Sequence, residues 1–311
     1  MRIIVTGAGG FVGRALVRAL AADETLSVVA IDSRFGAPLA GAELVEADLG
    51  DSAAIRRAFK GGVDAVIHLA AVPGGAAEAD PGLSRRVNLD AAADLIEAAA
   101  EAGQRPRFVF ASTIAVFGDP LPPEGVDDAT PLRPRLIYGA HKAMMEVLVA
   151  TMSRRGAIEG VSLRLPGIVA RPKGPSGLKS AFMSDLFHAL AAGQPFVSPV
   201  SAGATLWLMS VQQCARNLVH ALALDTARLP PGRALSLPAL RVTMADLAAG
   251  VAAAVGADPA LVSFAPDAGL EAAFGTHPPL STPIADSLGF RHDGAVATLV
   301  ENALNGVRVS S

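Results

Sequence analysis

Arg2-Ile3-Ile4-Val5-Thr6-Gly7-Ala8-Gly9-Gly10-Phe11-Val12-Gly13 runs from a short apolar stretch through a glycine turn into a segment, Phe11 to Ala22, whose apolar residues recur at helical spacing. An apolar run of that length closed by glycine reads as a buried strand, and strand-turn-helix is how a parallel α/β sheet begins. The alternation continues outward from this stretch. Val28 to Asp32, Leu44 to Ala47, Ala65 to Ala70, Arg107 to Ser112 and Val161 to Leu165 read as strands; Ser52 to Phe59, Leu83 to Ala102 and Tyr138 to Arg155 read as helices. Strands separated by helices require crossover connections, so the expected fold class is α/β with a doubly wound parallel sheet.

After Pro166 the texture changes. Residues 170 to 181 and 193 to 205 are rich in Pro, Gly and Ser and are predicted loops of the kind that covers a binding site, with helices near Met244 to Val255 and Ala295 to Leu304. The expected division is a nucleotide-binding Rossmann-type domain over 1–170 and a smaller substrate-binding region over 171–311, interleaved with the first.

Composition narrows the function classes. The chain of 311 residues is 51% apolar, yet no uninterrupted apolar run reaches the ~18 residues that span a bilayer. Met1 to Val5 lead straight into the glycine turn and leave no room for a signal peptide, so a cytoplasmic protein is expected. The net charge of −3 is interspersed, without the Lys/Arg block of a nucleic-acid footprint. Cys214 is the single cysteine, expected as a small buried residue, and the six histidines include no His-x-x-x-His pair, so a zinc site has no support.

The glycines divide the work of holding a dinucleotide. Gly7 takes the tight turn, Gly10 lets backbone N–H groups approach a pyrophosphate, and Gly13 lets the helix pack on the strand; Phe11 and Val12 at the helix start join the same cofactor set. Asp32 closes the second strand. A carboxylate there accepts hydrogen bonds from both adenosine-ribose hydroxyls and repels a 2′-phosphate, which selects NAD over NADP; Arg34 reads as a solvated loop residue. Asp48 and Leu49 are placed to contact adenine, and Asp48 alone reads equally as the N-cap of the next helix.

Tyr138 is the only tyrosine, and Lys142, one of four lysines, follows it by four positions. That spacing puts both on one helix face, where an ammonium beside the phenol favours the phenolate. A phenol near pKa ~10 must come down by about three units to act as a base at neutral pH. The strand Phe108 to Ser112 leads into Thr113, and hydroxyls at a strand's C-terminal end face the crevice where α/β sheets bind ligands.

Glycine turn, Asp32, Asn88, the Ser112-Thr113 strand end and Tyr138-x-x-x-Lys142, in that order, resemble the extended short-chain dehydrogenase/reductase family, the NAD-dependent epimerases and dehydratases. The resemblance implies that Tyr138 is the catalytic acid/base and that Lys142 lowers its pKa while bonding the nicotinamide ribose. Thr113 would hold the substrate oxygen, with Ser112 the lesser candidate. Leu69, Ala70 and Ala71 would pass along the cofactor and Val72 would reach the substrate, His68 being a packed strand residue. Asn88 would support the site among the cofactor contacts, and Leu165 and Pro166 would lie beside the nicotinamide. Phe117 stands where many sugar-nucleotide epimerases have tyrosine.

Arg105 to Phe110, Asp127 to Leu132, Leu163 to Pro172 and Leu206 to Ser210 bring a closer resemblance to the D-erythronate dehydrogenase group and, more loosely, to uronate dehydrogenases. It implies hydride transfer from C2 of a small sugar acid to NAD, giving a 2-oxo acid. Arg171, Lys173 and Lys179 are the cations available to a substrate carboxylate, Arg171 and Lys179 foremost; Thr205 stands where that group often has arginine, and Trp207 reads as a wall or core residue. The same resemblance suggests a homodimer in which helices around 83–102 and 138–155 pack as a four-helix bundle. Two alternatives stand beside this reading: an NDP-sugar 4-epimerase or dehydratase of the same fold, and a non-catalytic NAD-sensing protein.

Overall fold

The computed structural model describes residues 1–118, 120–173 and 179–308, with side chains through 305; residues 174–178 of the predicted 170–181 loop therefore lie outside the described residues. Along the chain the strands are β1 (Arg2–Thr6), β2 (Ser27–Asp32), β3 (Ala42–Glu46), β4 (Ala65–His68), β5 (Arg107–Thr113), β6 (Glu159–Leu165), β7 (Gly167–Val169), β8 (Phe196–Ser198), β9 (Thr205–Ser210), β10 (Ala234–Ser236), β11 (Leu240–Thr243) and β12 (Val262–Phe264). They group into two compact units, one made of Met1–Val116, Leu132–Leu165 and Ala215–Ser236, the other of Phe117–Pro131, Pro166–Cys214 and Leu237–Ser311.

The first unit is a Rossmann-type, doubly wound sheet of seven strands in the order β10-β6-β5-β4-β1-β2-β3. All pairings are parallel. The chain builds outward from β1 through β2 to β3, then returns to place β4 on the other side, so the order reverses between β1 and β4. Ligands bind at the carboxyl ends of strands at such a switch point. Central strands covered by helices on both faces read as continuous apolar runs, and β4 is buried throughout.

Helices α1 (Phe11–Ala21), α2 (Ser52–Ala58), α3 (Gly74–Ala79), α4 (Pro81–Arg85), α5 (Ala91–Ala102) and α6 (Ile137–Arg154) belong to this unit. Leu95 and Ile96 of α5 and Met145 and Val149 of α6 close over Ile4, Val66, Phe108 and Phe110 of the sheet. Each such side chain contributes about 1.5–3 kcal/mol on burial.

Three local expectations need correction. The helix expected over Leu83 to Ala102 begins at Pro81, because Asp80 caps it by accepting the N–H of Leu83 and Pro81 takes the first helical position. It also carries a π-helical segment, Arg86–Asp90, before α5. The strand expected over Ala65 to Ala70 ends at His68, and Leu69 onward leaves the sheet. Asp51, not Asp48, caps α2 by accepting the N–H of Ala54.

In the second unit β7 pairs parallel and β11 antiparallel with β9, while β8 and β12 form a parallel pair, so the predicted 193–205 loop contains a strand. Its core brings Phe182, Leu186 and Phe187 together with Leu206, Leu208, Met244, Leu247, Val251 and Leu299. The helix Met244–Val255 starts at Thr243, whose Oγ1 accepts the N–H of Asp246, and stops at Gly256 in the left-handed conformation.

Candidate active site

The turn after β1 is held by backbone. Gly7 has φ +69°, and a Cβ there would stand 2.6 Å from the amide nitrogen of Ala70; a Cβ on Gly13 would stand 2.1 Å from the carbonyl oxygen of Gly7. Both positions therefore admit only glycine, one for conformation and contact, the other for helix-to-turn contact. Leu69 N–H donates to Thr6 O at 3.1 Å and Ala8 N–H to Ile31 O at 3.2 Å, which fixes the turn to both flanking strands. The N-cap of α1 is Gly10, which is exposed and makes no side-chain cap hydrogen bond, so the helix start is presented as bare backbone. Converging peptide dipoles at such a start favour phosphate.

Asp32, at the end of β2, accepts the N–H of Gly9 through Oδ2 at 2.9 Å. A Cβ on Gly9 would come within 3.2 Å of that carboxylate and 2.8 Å of Arg34 O, so the Gly9-Gly10 doublet sets the closeness of turn and acid. The glycine spacing in the sequence singles out Gly10; the contact with Asp32 and Arg34 adds Gly9. Asp48 accepts the N–H of Gly50 at 2.8 Å, and Leu49 beside it is nearly buried.

After β4, Leu69, Ala70 and Ala71 are half-buried and lead to Val72, whose N–H donates to Asn88 Oδ1 (2.8 Å) and whose carbonyl accepts from Asn88 Nδ2 (2.9 Å). Asn88 sits in the π-helical segment and donates its second amide hydrogen to Ser84 Oγ at 3.0 Å. With Ser84 accepting there, its own hydrogen goes to His141 Nδ1, 2.9 Å away on α6. Asn88 thus holds the 69–72 segment and links it to the helix of Tyr138, with both amide hydrogens engaged by protein.

Tyr138 is the second residue of α6 and half-buried. Glu78 of α3 caps that helix from outside by accepting the N–H of Ile137 at 2.6 Å. Gly139 lets the helix start approach the end of β5, since a Cβ there would be 2.5 Å from Ala115 O. Lys142, 3% exposed, donates from Nζ to Ala111 O at 2.7 Å and lies 4.5 Å from the Phe110 ring centroid and 5.8 Å from that of Tyr138. Burial holds its ammonium down to about 7, against Glu146, whose carboxylate favours the charged form. His68 is held down to about 3 by burial, with the Lys142 charge adding to it, and shares a 2.6 Å hydrogen bond with Thr6 Oγ1, so it is neutral.

The two hydroxyls at the end of β5 part company. Ser112 is buried and donates to Glu146 Oε1 at 2.5 Å, whereas Thr113 is half-buried and accepts the N–H of Ala115 at 3.2 Å. Leu165 pairs with Thr113 across β5 and β6, and Pro166 follows it. Glu146 also holds Arg164 through two hydrogen bonds, an ion pair buried at both ends.

In the second unit the backbone of Arg171 is fixed by Ser184 Oγ, which accepts its N–H, and by His188 Nε2, which donates to its carbonyl at 2.7 Å. Lys173 and Lys179 are exposed. Trp207 is a core residue, 1% exposed, with Nε1 donating to Pro278 O and its ring edge-on to His277. Thr205 Oγ1 and Arg241 Nε both donate to His277 O, which brings a cation unremarked in the sequence to the neighbourhood of Thr205. Cys214 is buried and its thiol pushed up to about 12. Among the described residues no cluster of His, Cys, Asp and Glu could hold a metal ion, and no helix is long and apolar enough to cross a membrane.

The NAD dependent epimerase/dehydratase family matches residues 3–229. The chain belongs to that family. A D-erythronate dehydrogenase of Cupriavidus necator is 36% identical over 309 residues, 95% of each chain. A D-erythronate dehydrogenase of Haemophilus influenzae is 32% identical over 79% of this chain and 80% of its own. A crystal structure described as the nucleoside-diphosphate-sugar epimerase from Agrobacterium tumefaciens superposes with a TM-score of 0.88 at 30% identity, covering 98% of this chain and 95% of that one. NAD is the cofactor of this epimerase/dehydratase family, and the residues fit it: the uncapped start of α1 suits a pyrophosphate and Asp32 a ribose diol.

Proposed function

We propose that this protein oxidises the C2 hydroxyl of a small sugar acid, D-erythronate or a related aldonate, to the 2-oxo acid with NAD. The observation that carries the reading is Lys142, which lies 5.8 Å from the Tyr138 ring and donates to Ala111 O two residues before Thr113 on β5, in a chain alike over 95% of its length to a D-erythronate dehydrogenase. Tyr138 takes the hydroxyl proton as general base. Lys142, fixed on Ala111, supplies the positive charge that favours the phenolate, and Thr113 orients the substrate oxygen with a hydrogen bond. NAD supplies the hydride acceptor when bound. Gly7, Gly10, Phe11, Val12, Asp32, Asp48, Leu49, Leu69, Ala70, Ala71, Leu165 and Pro166 are assigned to its binding, with Asn88 holding Val72 in place beside the substrate. Arg171 and Lys179 are assigned to the substrate carboxylate.

An NDP-sugar 4-epimerase is the second reading, favoured by the 30% identity to the Agrobacterium protein. An epimerase returns its hydride within each turnover, so NADH accumulation separates the two. The test is NADH absorbance with purified protein, NAD and a panel of aldonates, uronates and other 2-hydroxy acids. Activity on a sugar nucleotide, with silence across the acids, overturns the proposal.

The quaternary proposal is a homodimer. Met144 (57% exposed) and Val147 (64%) lie three apart on α6, with Leu83 of α4 and Leu136 also exposed in the same unit. Packing these helices against a second copy as a four-helix bundle would cover that apolar surface. A Val147→Glu variant that remains dimeric by light scattering would contradict it. A cytoplasmic location accompanies the same reading.

A further inference from the structure

We propose that Glu146 is a positioning residue of this active site, keeping Lys142 charged and fixing the helix of Tyr138 and Lys142 to the strand of Thr113. The inference rests on the reading of Tyr138 and Lys142 as the acid/base pair. Glu146 follows Lys142 by one helical turn, so the two side chains share a face of α6. It is 3% exposed, and both carboxylate oxygens are engaged: Oε1 accepts from Ser112 Oγ (2.5 Å) and Arg164 Nε (2.9 Å), and Oε2 accepts from Arg164 Nη2 (2.7 Å). Ser112 precedes Thr113, and Ala111, which accepts from Lys142 Nζ, precedes Ser112. Ammonium and carboxylate of one helix are thereby pinned to successive residues, Ala111 and Ser112, at the end of β5 that bears Thr113.

The groups around Lys142 divide by element. Tyr138 and Glu146 come from α6, the Phe110 ring and Ala111 carbonyl from β5, His68 from β4, and the Arg164 guanidinium of β6 stands behind Glu146. His68 is neutral, so Glu146 is the anion opposing the desolvation that strips Lys142 of its proton. Without it the buried Arg164 charge would stand uncompensated and disfavour that proton further. The competing account is that Glu146 does no more than neutralise Arg164.

The four lysines, Lys60, Lys142, Lys173 and Lys179, make ¹³Cε-lysine NMR titration readable site by site, without any substrate. In Glu146→Gln the Lys142 midpoint should fall by about one pH unit or more. Should that variant not fold, Glu146→Gln with Arg164→Met removes both buried charges, and the midpoint should still fall by about half a unit. On an acid that the unaltered enzyme oxidises, the acidic limb of kcat/KM should move to higher pH while the Kd for NAD stays within about threefold. A Lys142 midpoint within about 0.3 unit of the original in a folded variant overturns the proposal. So does a fall in kcat/KM without movement of the limb. Absence of any oxidisable acid would count against the dehydrogenase reading alone, because the NMR titration would still decide the role of Glu146.

Discussion

The nucleotide turn and the Lys142 cluster stand at the carboxyl ends of β1 and β5, two strands of one sheet with β4 between them, and are made from opposite materials. At the turn, Gly7, Gly9, Gly10 and Gly13 offer backbone alone, and the one acid, Asp32, is half-exposed. At the cluster, Lys142, Glu146 and Arg164 are charged groups almost wholly removed from water. The first depends on the absence of side-chain atoms. The second depends on charges whose balance burial has made delicate. Changes of shape should therefore damage the turn most, and changes of charge the cluster.

The sharpest way to separate the two is Tyr138→Phe. Turnover should fall by roughly 10²–10⁴-fold, the usual contribution of a general base, while NAD binding by calorimetry stays within about threefold. Retained turnover would remove the cluster from the chemistry. Gly13→Ala should do the reverse. Its Cβ would lie 2.1 Å from Gly7 O, so a loss of about 1–3 kcal/mol in unfolding free energy is expected, with NAD affinity falling at least ~10-fold. Unchanged NAD affinity in that variant would show the turn to be less confined than described.

Lys142→Met probes the charge balance directly. The folded Lys142 pKa of about 7 lies below the ordinary lysine value of 10.5, so between these the unfolded chain binds the extra proton and stability rises with pH. Below about 7 the penalty is fully present, and there Lys142→Met should be more stable by roughly 1–3 kcal/mol, though inactive. A variant less stable than the original at pH 6 would mean that the ammonium is better compensated than its surroundings indicate. The smallest effect is expected at Asp48→Ala, which removes one exposed hydrogen bond to Gly50: about 0.5–1 kcal/mol in stability and no more than about threefold in NAD affinity. A larger loss in affinity would make Asp48 a principal adenine contact.

Local features were legible in the sequence. Gly7, Gly13 and Asp32 carry their reasons within one strand-turn-helix-strand run, and Tyr138 and Lys142 share a helical turn. The features that escaped are those that join distant residues. Ser112 and Glu146 are 34 positions apart and Glu146 and Arg164 are 18 apart, so no window of sequence contains the carboxylate with both its partners. Strand β10 enters the sheet beside β6 from residues 234–236, where only three residues, Ala234-Leu235-Ser236, follow a Pro-Gly turn and are too few to show a periodicity. The π-helical segment was hidden because an extra residue in a turn leaves the composition helical, and it is this segment that carries Asn88. Gly139 had a signal, a glycine inside a helix pattern, whose cause became visible only with Ala115 against it.

In the proposed reaction hydride leaves C2 of a sugar acid as Tyr138 takes the hydroxyl proton. Mass spectrometry of the NADH formed from C2-deuterated D-erythronate tests this most directly. One deuterium carried into NADH is the predicted result; NADH without deuterium, or no NADH while a nucleotide sugar is epimerised by the same preparation, would contradict it.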